Sequence, residues 1–207
     1  MSNVLYVDDF DGRGTFEGLV ETYFASAFGL LDLPPDRYDI NGPSSCAGNG
    51  LRSRTAIAPF VDSYGYEVII WDTGNLTSCT IGDGISEKPN DAELLVEWLL
   101  NSERNVGLWV LGDGVASDLG GSSAPSAQQL MDACGVARAS NSYFYLTGGQ
   151  AGGGVTTPLV TGYSCPSAGA IFDGLEYYAY GGCPIINNFD VLAPLSLIHI
   201  SEPTRPY

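Results

Sequence analysis

The chain has 207 residues, 44% of them hydrophobic, and a formal net charge of −16. That length and apolar content suffice for one well-buried domain, and no apolar run reaches the span of a membrane-crossing helix, so membrane insertion is not expected. With Lys88 as its single lysine the chain has no basic stripe to neutralise phosphates, which sets nucleic acid and anionic membranes aside as partners.

Val4 to Val7 read as a first buried strand, ended by the acidic turn Asp8 to Gly12. From Gly18 to Leu31 apolar residues recur at three- and four-residue steps (Leu19, Val20, Tyr23, Phe24, Ala27, Phe28, Leu31), which predicts a helix packing one broad face on a sheet. Pro34 and Pro35 stop it. Tyr38 to Ile40 is a short second strand, Asn41 to Asn49 a loop, and Thr55 to Asp62 a weak helix. Glu67 to Trp71, β-branched and aromatic, is the clearest strand, closing on Asp72. After a glycine-bearing loop, Asn90 and Glu93 stand at capping-box spacing before a helix whose apolar face is Leu94, Leu95, Trp98 and Leu99.

Val106 to Leu111 is a nearly unbroken apolar run, the pattern of a strand covered on both faces in a parallel sheet. The turn Gly112-Asp113-Gly114 follows at its carboxyl end, where open α/β sheets place their ligands, and its placement suits an elbow that would carry a nucleophile. Ser126 to Cys134 forms another helix, closed by Gly135. The alternation of strand and helix predicts a three-layer α/β/α domain with a mainly parallel, doubly wound sheet. Beyond Val136 the pattern shortens to β-like pieces (Tyr143 to Leu146, Val155 to Thr161, Glu176 to Tyr180, Ile185 to Leu192), expected as a peripheral antiparallel region. The glycine run Gly148 to Gly154 resembles a phosphate loop only in composition, since no Lys and Ser/Thr follow it.

Leu195 to Pro206 (LSLIHISEPTRP) resembles the in-frame translation of a transposase sequencing adapter, so residues 195–207 are expected to be a non-native tail and residues 1–194 a single domain cut short at its C-terminus. The tail contains His199, the only histidine, and without it Ser-His-Asp, Cys-His and histidine-ligated zinc chemistries are excluded. A strand beginning at Val4 leaves no room for a signal peptide, so the domain is expected to sit inside a longer chain. Of the five cysteines, Cys46 with Cys79 and Cys165 with Cys183 would pair in an oxidising compartment, with reduced structural thiols as the alternative. Cys134 reads as a small buried hydrophobe.

The strand-end acids Asp9, Asp11, Asp72 and Asp113 form the most suggestive constellation, because all strand ends of one winding open on the same edge. Carboxylates converging there suit Ca2+ or Mg2+, with Asp9 and Asp11 as the metal ligands, or each Asp simply caps a turn. VLYVDDF with a later IIWD resembles a receiver domain, but the lysine that family needs after its fifth strand is absent. Asp9-Phe10-Asp11-Gly12 resembles the DxDG of haloacid-dehalogenase phosphatases, but Arg13 stands where that family has Thr.

Gly74 to Gly84 (GNLTSCTIGDG), Leu108 to Leu119 (LWVLGDGVASDL) and Gly181 to Leu192 (GGCPIINNFDVL) together resemble the class I glutamine amidotransferase-like domains of long secreted bacterial proteins. The resemblance implies a flavodoxin-like fold, an extracellular location and other domains of the same chain as partners. In active members the turn after this strand carries a nucleophilic Cys, with a His further on; here the turn offers Asp113 and the His is missing. The expectation is a non-catalytic module that binds a small ligand or serves as a scaffold, with a divalent-cation-dependent hydrolase as the alternative and loss of catalytic residues by truncation as a third reading.

Overall fold

The computed structural model describes residues 2–10, 17–40, 51, 65–86, 89–140, 159–161, 174–178 and 190–195. Four strands form a parallel sheet: β1 (Val4–Asp8), β2 (Asp36–Asp39), β3 (Val68–Asp72) and β4 (Gly107–Leu111), in the order β2-β1-β3-β4. β1 and β3 run in full register from Val4 opposite Val68 to Asp8 opposite Asp72. Every residue of β1 is buried, as is β3 beyond Val68, which is why both segments read as almost purely apolar until their terminal Asp.

Helices cover the two faces unequally. Helix α1 (Glu17–Leu30) lies on one face, and α2 (Asp91–Asn101), α3 (Val115–Gly121) and α4 (Pro125–Ala133) lie on the other. Strand alternation divides the core accordingly. Leu5, Val7, Ile69 and Trp71 pack with Leu95, Trp98, Leu119 and Leu130 under the three helices, while Val4, Tyr6 and Ile70 meet Phe24 and Phe28 of α1. The three-layer, mainly parallel α/β architecture expected from the alternation is therefore present. Among the described residues no helix is long and apolar enough to cross a membrane.

Local signals explain several boundaries. Asn90 caps α2 through its Oδ1, which accepts the Glu93 N–H at 3.1 Å, and Asn90 Nδ2 returns a bond to Glu93 Oε2 at 3.1 Å. The predicted capping pair is made, with the return bond on the side chain instead of the backbone. Helix α4 starts with Pro125 at its first position and stops at Cys134, whose N–H reaches Leu130 O at 3.0 Å. The stretch after Gly114 is the short helix α3.

Three expectations need correction. β4 is not covered on both faces: it pairs only with β3 among the described strands, and Trp109 is 48% exposed because α1 lies over β1 and β3 instead. The inward face of α1 is narrow, since Phe24 and Phe28 pack on Tyr6 while Tyr23, Leu30 and Leu31 are exposed; among the described residues no second helix lies on that face to cover the flanks of its stripe. Cys134, which caps the C-terminal end of α4, is exposed instead of buried.

The C-terminal region is antiparallel as expected. β5 (Val136–Ser140) pairs with β8 (Val191–Pro194), and β6 (Leu159–Thr161) pairs with β7 (Glu176–Tyr178). Leu195 continues the β8 pairing by donating to Gly135 O at 2.9 Å. The proposed helix at Thr55 to Asp62, the strand at Tyr143 to Leu146, the glycine run Gly148 to Gly154, Cys46, Cys165, Cys183 and His199 lie outside the described residues.

Candidate functional site

The winding of the sheet places a site before any side chain is considered. From β1 the chain passes through α1 to β2 on one side, then returns across β1 to β3 and on through α2 to β4 on the other. The connections leave β1 and β3 in opposite directions, which opens a crevice beyond their carboxyl ends. A cleft of about 380 Å³ occupies that position. Asp72, Gly74 and Asn75 reach it from the end of β3, Leu111, Gly112 and Asp113 from the end of β4, and Phe10 from beyond β1. Val20 and Phe24 close it from α1.

The turns that shape the cleft depend on close backbone approach. A Cβ on Gly112 would stand 1.9 Å from Thr73 Oγ1, and one on Gly114 would stand 2.6 Å from Leu76 O. Glycine at both positions lets the turn after β4 lie against the loop after β3, where Asp113 N donates to Gly74 O at 2.9 Å. Asp113 itself is not among the residues with positive φ. The turn thus lacks the strained backbone of a nucleophile elbow, which corrects the expectation drawn from its position alone.

The two carboxylates facing this cleft differ in state. Asp72 is satisfied: its Oδ2 accepts from Tyr6 Oη at 3.1 Å and its Oδ1 from Gly74 N at 3.0 Å. Burial raises the Asp72 pKa, and the bonds from Gly74 and Tyr6 hold that rise back. The Tyr6 phenol is pushed well above its ordinary range by burial first, then by the nearby carboxylates of Asp72 and Asp8, so it stays protonated and donating. Asp113, by contrast, has no hydrogen-bond donor to its carboxylate among the described residues. Burial, and secondarily the negative charge of Asp190, push its pKa up to about 6.

Asp190 connects the site to the C-terminal region. Its backbone N–H donates to Asp113 O at 2.6 Å, and its carboxylate accepts from the backbone N–H of Ser117 at 2.6 Å and from Ser117 Oγ. Helix α3 has Gly114 at its N-cap and so no capping side chain of its own; Asp190 supplies the missing acceptor from 73 residues away. Arg138 of β5 adds a bond to Ser117 Oγ at 3.3 Å.

Of the acids singled out by the sequence, Asp72 and Asp113 are brought to one cleft. Asp9 is buried, its N–H bonded to Asp72 O at 2.9 Å, and it does not line that cleft. Asp11 lies outside the described residues. Among the described residues no three His, Cys, Asp or Glu side chains form a group that could hold a metal ion. Sequence reasoning passed over Asp8, which is buried and bonded to Arg37 Nη2 at 3.0 Å and to Phe10 N at 3.1 Å. It also passed over Tyr6, Phe10 and Phe24 as parts of the site, and over Asp190. Asp190 carried one usable signal, an acid directly before a strand in an otherwise uncharged stretch.

No protein-family model, no curated protein and no solved structure matches this chain.

Proposed function

We propose that the chain is a non-catalytic binding module of the class I glutamine amidotransferase-like kind, part of a longer extracellular protein, and that it takes a small polar ligand in the cleft at the ends of β1, β3 and β4. The observation that carries this reading is Asp113: a half-buried carboxylate lines the cleft at the point where the winding reverses, with no described donor to satisfy it. A ligand hydroxyl or amine is the natural partner for such an acceptor, while Phe10 and Phe24 provide apolar surface for its body. The strand order β2-β1-β3-β4 supports the family reading, being that of flavodoxin-like sheets up to their fourth strand. Non-catalysis is supported by what stands in the turn: Asp113 occupies the place of a nucleophile, without the strained backbone of an elbow.

The test pairs binding with turnover. Saturation-transfer NMR against a panel of neutral sugars and small primary amines should find binding that Asp113→Asn removes. Model esters, amides and phosphomonoesters should stay at background with or without Mg2+ or Ca2+. Metal-dependent turnover abolished by Asp113→Asn would replace this reading with the cation-dependent hydrolase, and a panel without a single Asp113-dependent binder would overturn it.

A further inference from the structure

A second cleft, of about 420 Å³, lies along the other flank of α1, toward β2. Asp72, Gly112 and Asp113 do not line it, and it shares only Phe24 with the first. Aromatic rings dominate it: the Tyr6 and Phe24 centroids are 4.7 Å apart, Tyr6 and Phe28 5.7 Å, and Phe24 and Phe28 6.0 Å. Leu33, Pro34 and Pro35 extend the apolar wall where the chain turns from α1 into β2.

Charge selects the occupant. Glu21 and Asp32 line the cleft, and its one lining cation, Arg37, already donates to Asp8, Glu21 and Asp39. Three carboxylates around one guanidinium leave that cluster net negative, so an anion is repelled despite the arginine. Helix α1 adds to the same sign, because its C-terminal end carries partial negative charge, has no basic residue in its last turn, and has Asp32 two residues beyond its end. Aromatic faces beside uncompensated negative charge attract cations whose charge is spread over alkyl groups.

We propose that this cleft binds an organic monocation with an apolar body, an alkyl or quaternary ammonium, seated against Phe24 and Phe28 with Glu21 and Asp32 at its rim. The volume is that of a small-molecule site. Gly29 supplies a clean probe, since it lines the cleft and a Cβ added there meets nothing within 4 Å. A leucine at this helical position starts from open space at its Cβ, adds bulk at the cleft and favours the helix over glycine.

The test compares choline with its uncharged carbon isostere, 3,3-dimethylbutan-1-ol, by saturation-transfer NMR on the whole chain at low salt. Choline should bind saturably and about tenfold more tightly than the alcohol. Gly29→Leu should abolish choline binding while leaving the unfolding midpoint equal or higher, Phe28→Ala should weaken it, and Asp113→Asn should leave it unchanged, which separates this site from the first. Equal affinity for the alcohol, no saturable choline binding, or undiminished binding by Gly29→Leu would each overturn the proposal. A change from dimer to monomer on Gly29→Leu, seen by sedimentation, would also overturn it by assigning the cleft to a second copy of the chain.

Discussion

Asp113 and Asp72 are both acids whose charged form is penalised by burial, but they respond to opposite substitutions. For Asp113 the folded pKa of about 6 lies above the ordinary 3.8, so the native chain keeps a proton that the unfolded chain has lost. Stability therefore falls as pH rises through that window and stays lower above it. The full shift would correspond to ~3 kcal/mol, and partial solvent exposure reduces this to on the order of 1 kcal/mol. Asp113→Asn should accordingly be the more stable form at pH 7 by that amount, with the difference vanishing below pH ~4. Urea midpoints for the two forms that run parallel from acid to neutral pH would contradict this. Asp72 is held by Tyr6, so Tyr6→Phe leaves a buried carboxylate with Gly74 N as its one remaining described donor. The expected cost is about 1–3 kcal/mol at pH 7. It should shrink as Asp72 protonates, and the Asp72 carboxyl carbon, followed by NMR, should titrate at higher pH than in the parent chain.

At the scale of elements, the turn after β4 tests whether close packing or backbone preference holds the cleft open. Gly112→Ala would drive a methyl to 1.9 Å from Thr73 Oγ1, which itself donates to Leu111 O at 3.2 Å. The expected loss is about 1–3 kcal/mol. Because the clash is with one side-chain oxygen, Thr73→Ala should recover part of it, giving a double-mutant coupling of about 1 kcal/mol in thermal unfolding. Additive losses would place the requirement in the backbone instead. The same turn illustrates how much of the site was legible. Gly112-Asp113-Gly114 after an apolar run announces a strand end and a turn, and parallel winding brings that end to the ends of β1 and β3, so Asp72 and Asp113 were identifiable from local pattern. Position within the sheet was not: the apolar run of β4 resembles that of β1, yet among the described strands β4 stands at the edge and β1 inside the sheet, a difference set by chain crossings with no local trace. Asp190 escaped notice for a related reason, since the helix it caps is 73 residues earlier and only the pairing of β8 with β5 brings them together.

The whole molecule carries −16 in 207 residues, and both clefts on the α1 side of the sheet are bordered by acids, Asp72 and Asp113 at one and Glu21 and Asp32 at the other. Of its described cations, Arg37 is paired with Asp8, Glu21 and Asp39, and Arg104 with Glu67 at 3.5 Å. Self-repulsion of this size works against the compact state, which concentrates the charge more than the unfolded chain does. Salt acts on both sides of the balance, weakening the repulsion and also the ion pairs. Exposed pairs contribute about 0–1 kcal/mol each, while repulsion sums over many charges separated by distances near the screening length of ~10 Å at 0.1 M. Repulsion should therefore dominate, and the unfolding temperature should rise as NaCl goes from ~0.01 M to ~0.3 M, by several degrees per kcal/mol recovered. The same titration should loosen an ammonium ligand in the α1–β2 cleft, because its attraction comes from the field that the salt screens. Stability rising while cation affinity falls would trace both to the uncompensated acids, whereas an unfolding temperature that drops with salt would show the Arg37 and Arg104 pairs outweighing the repulsion.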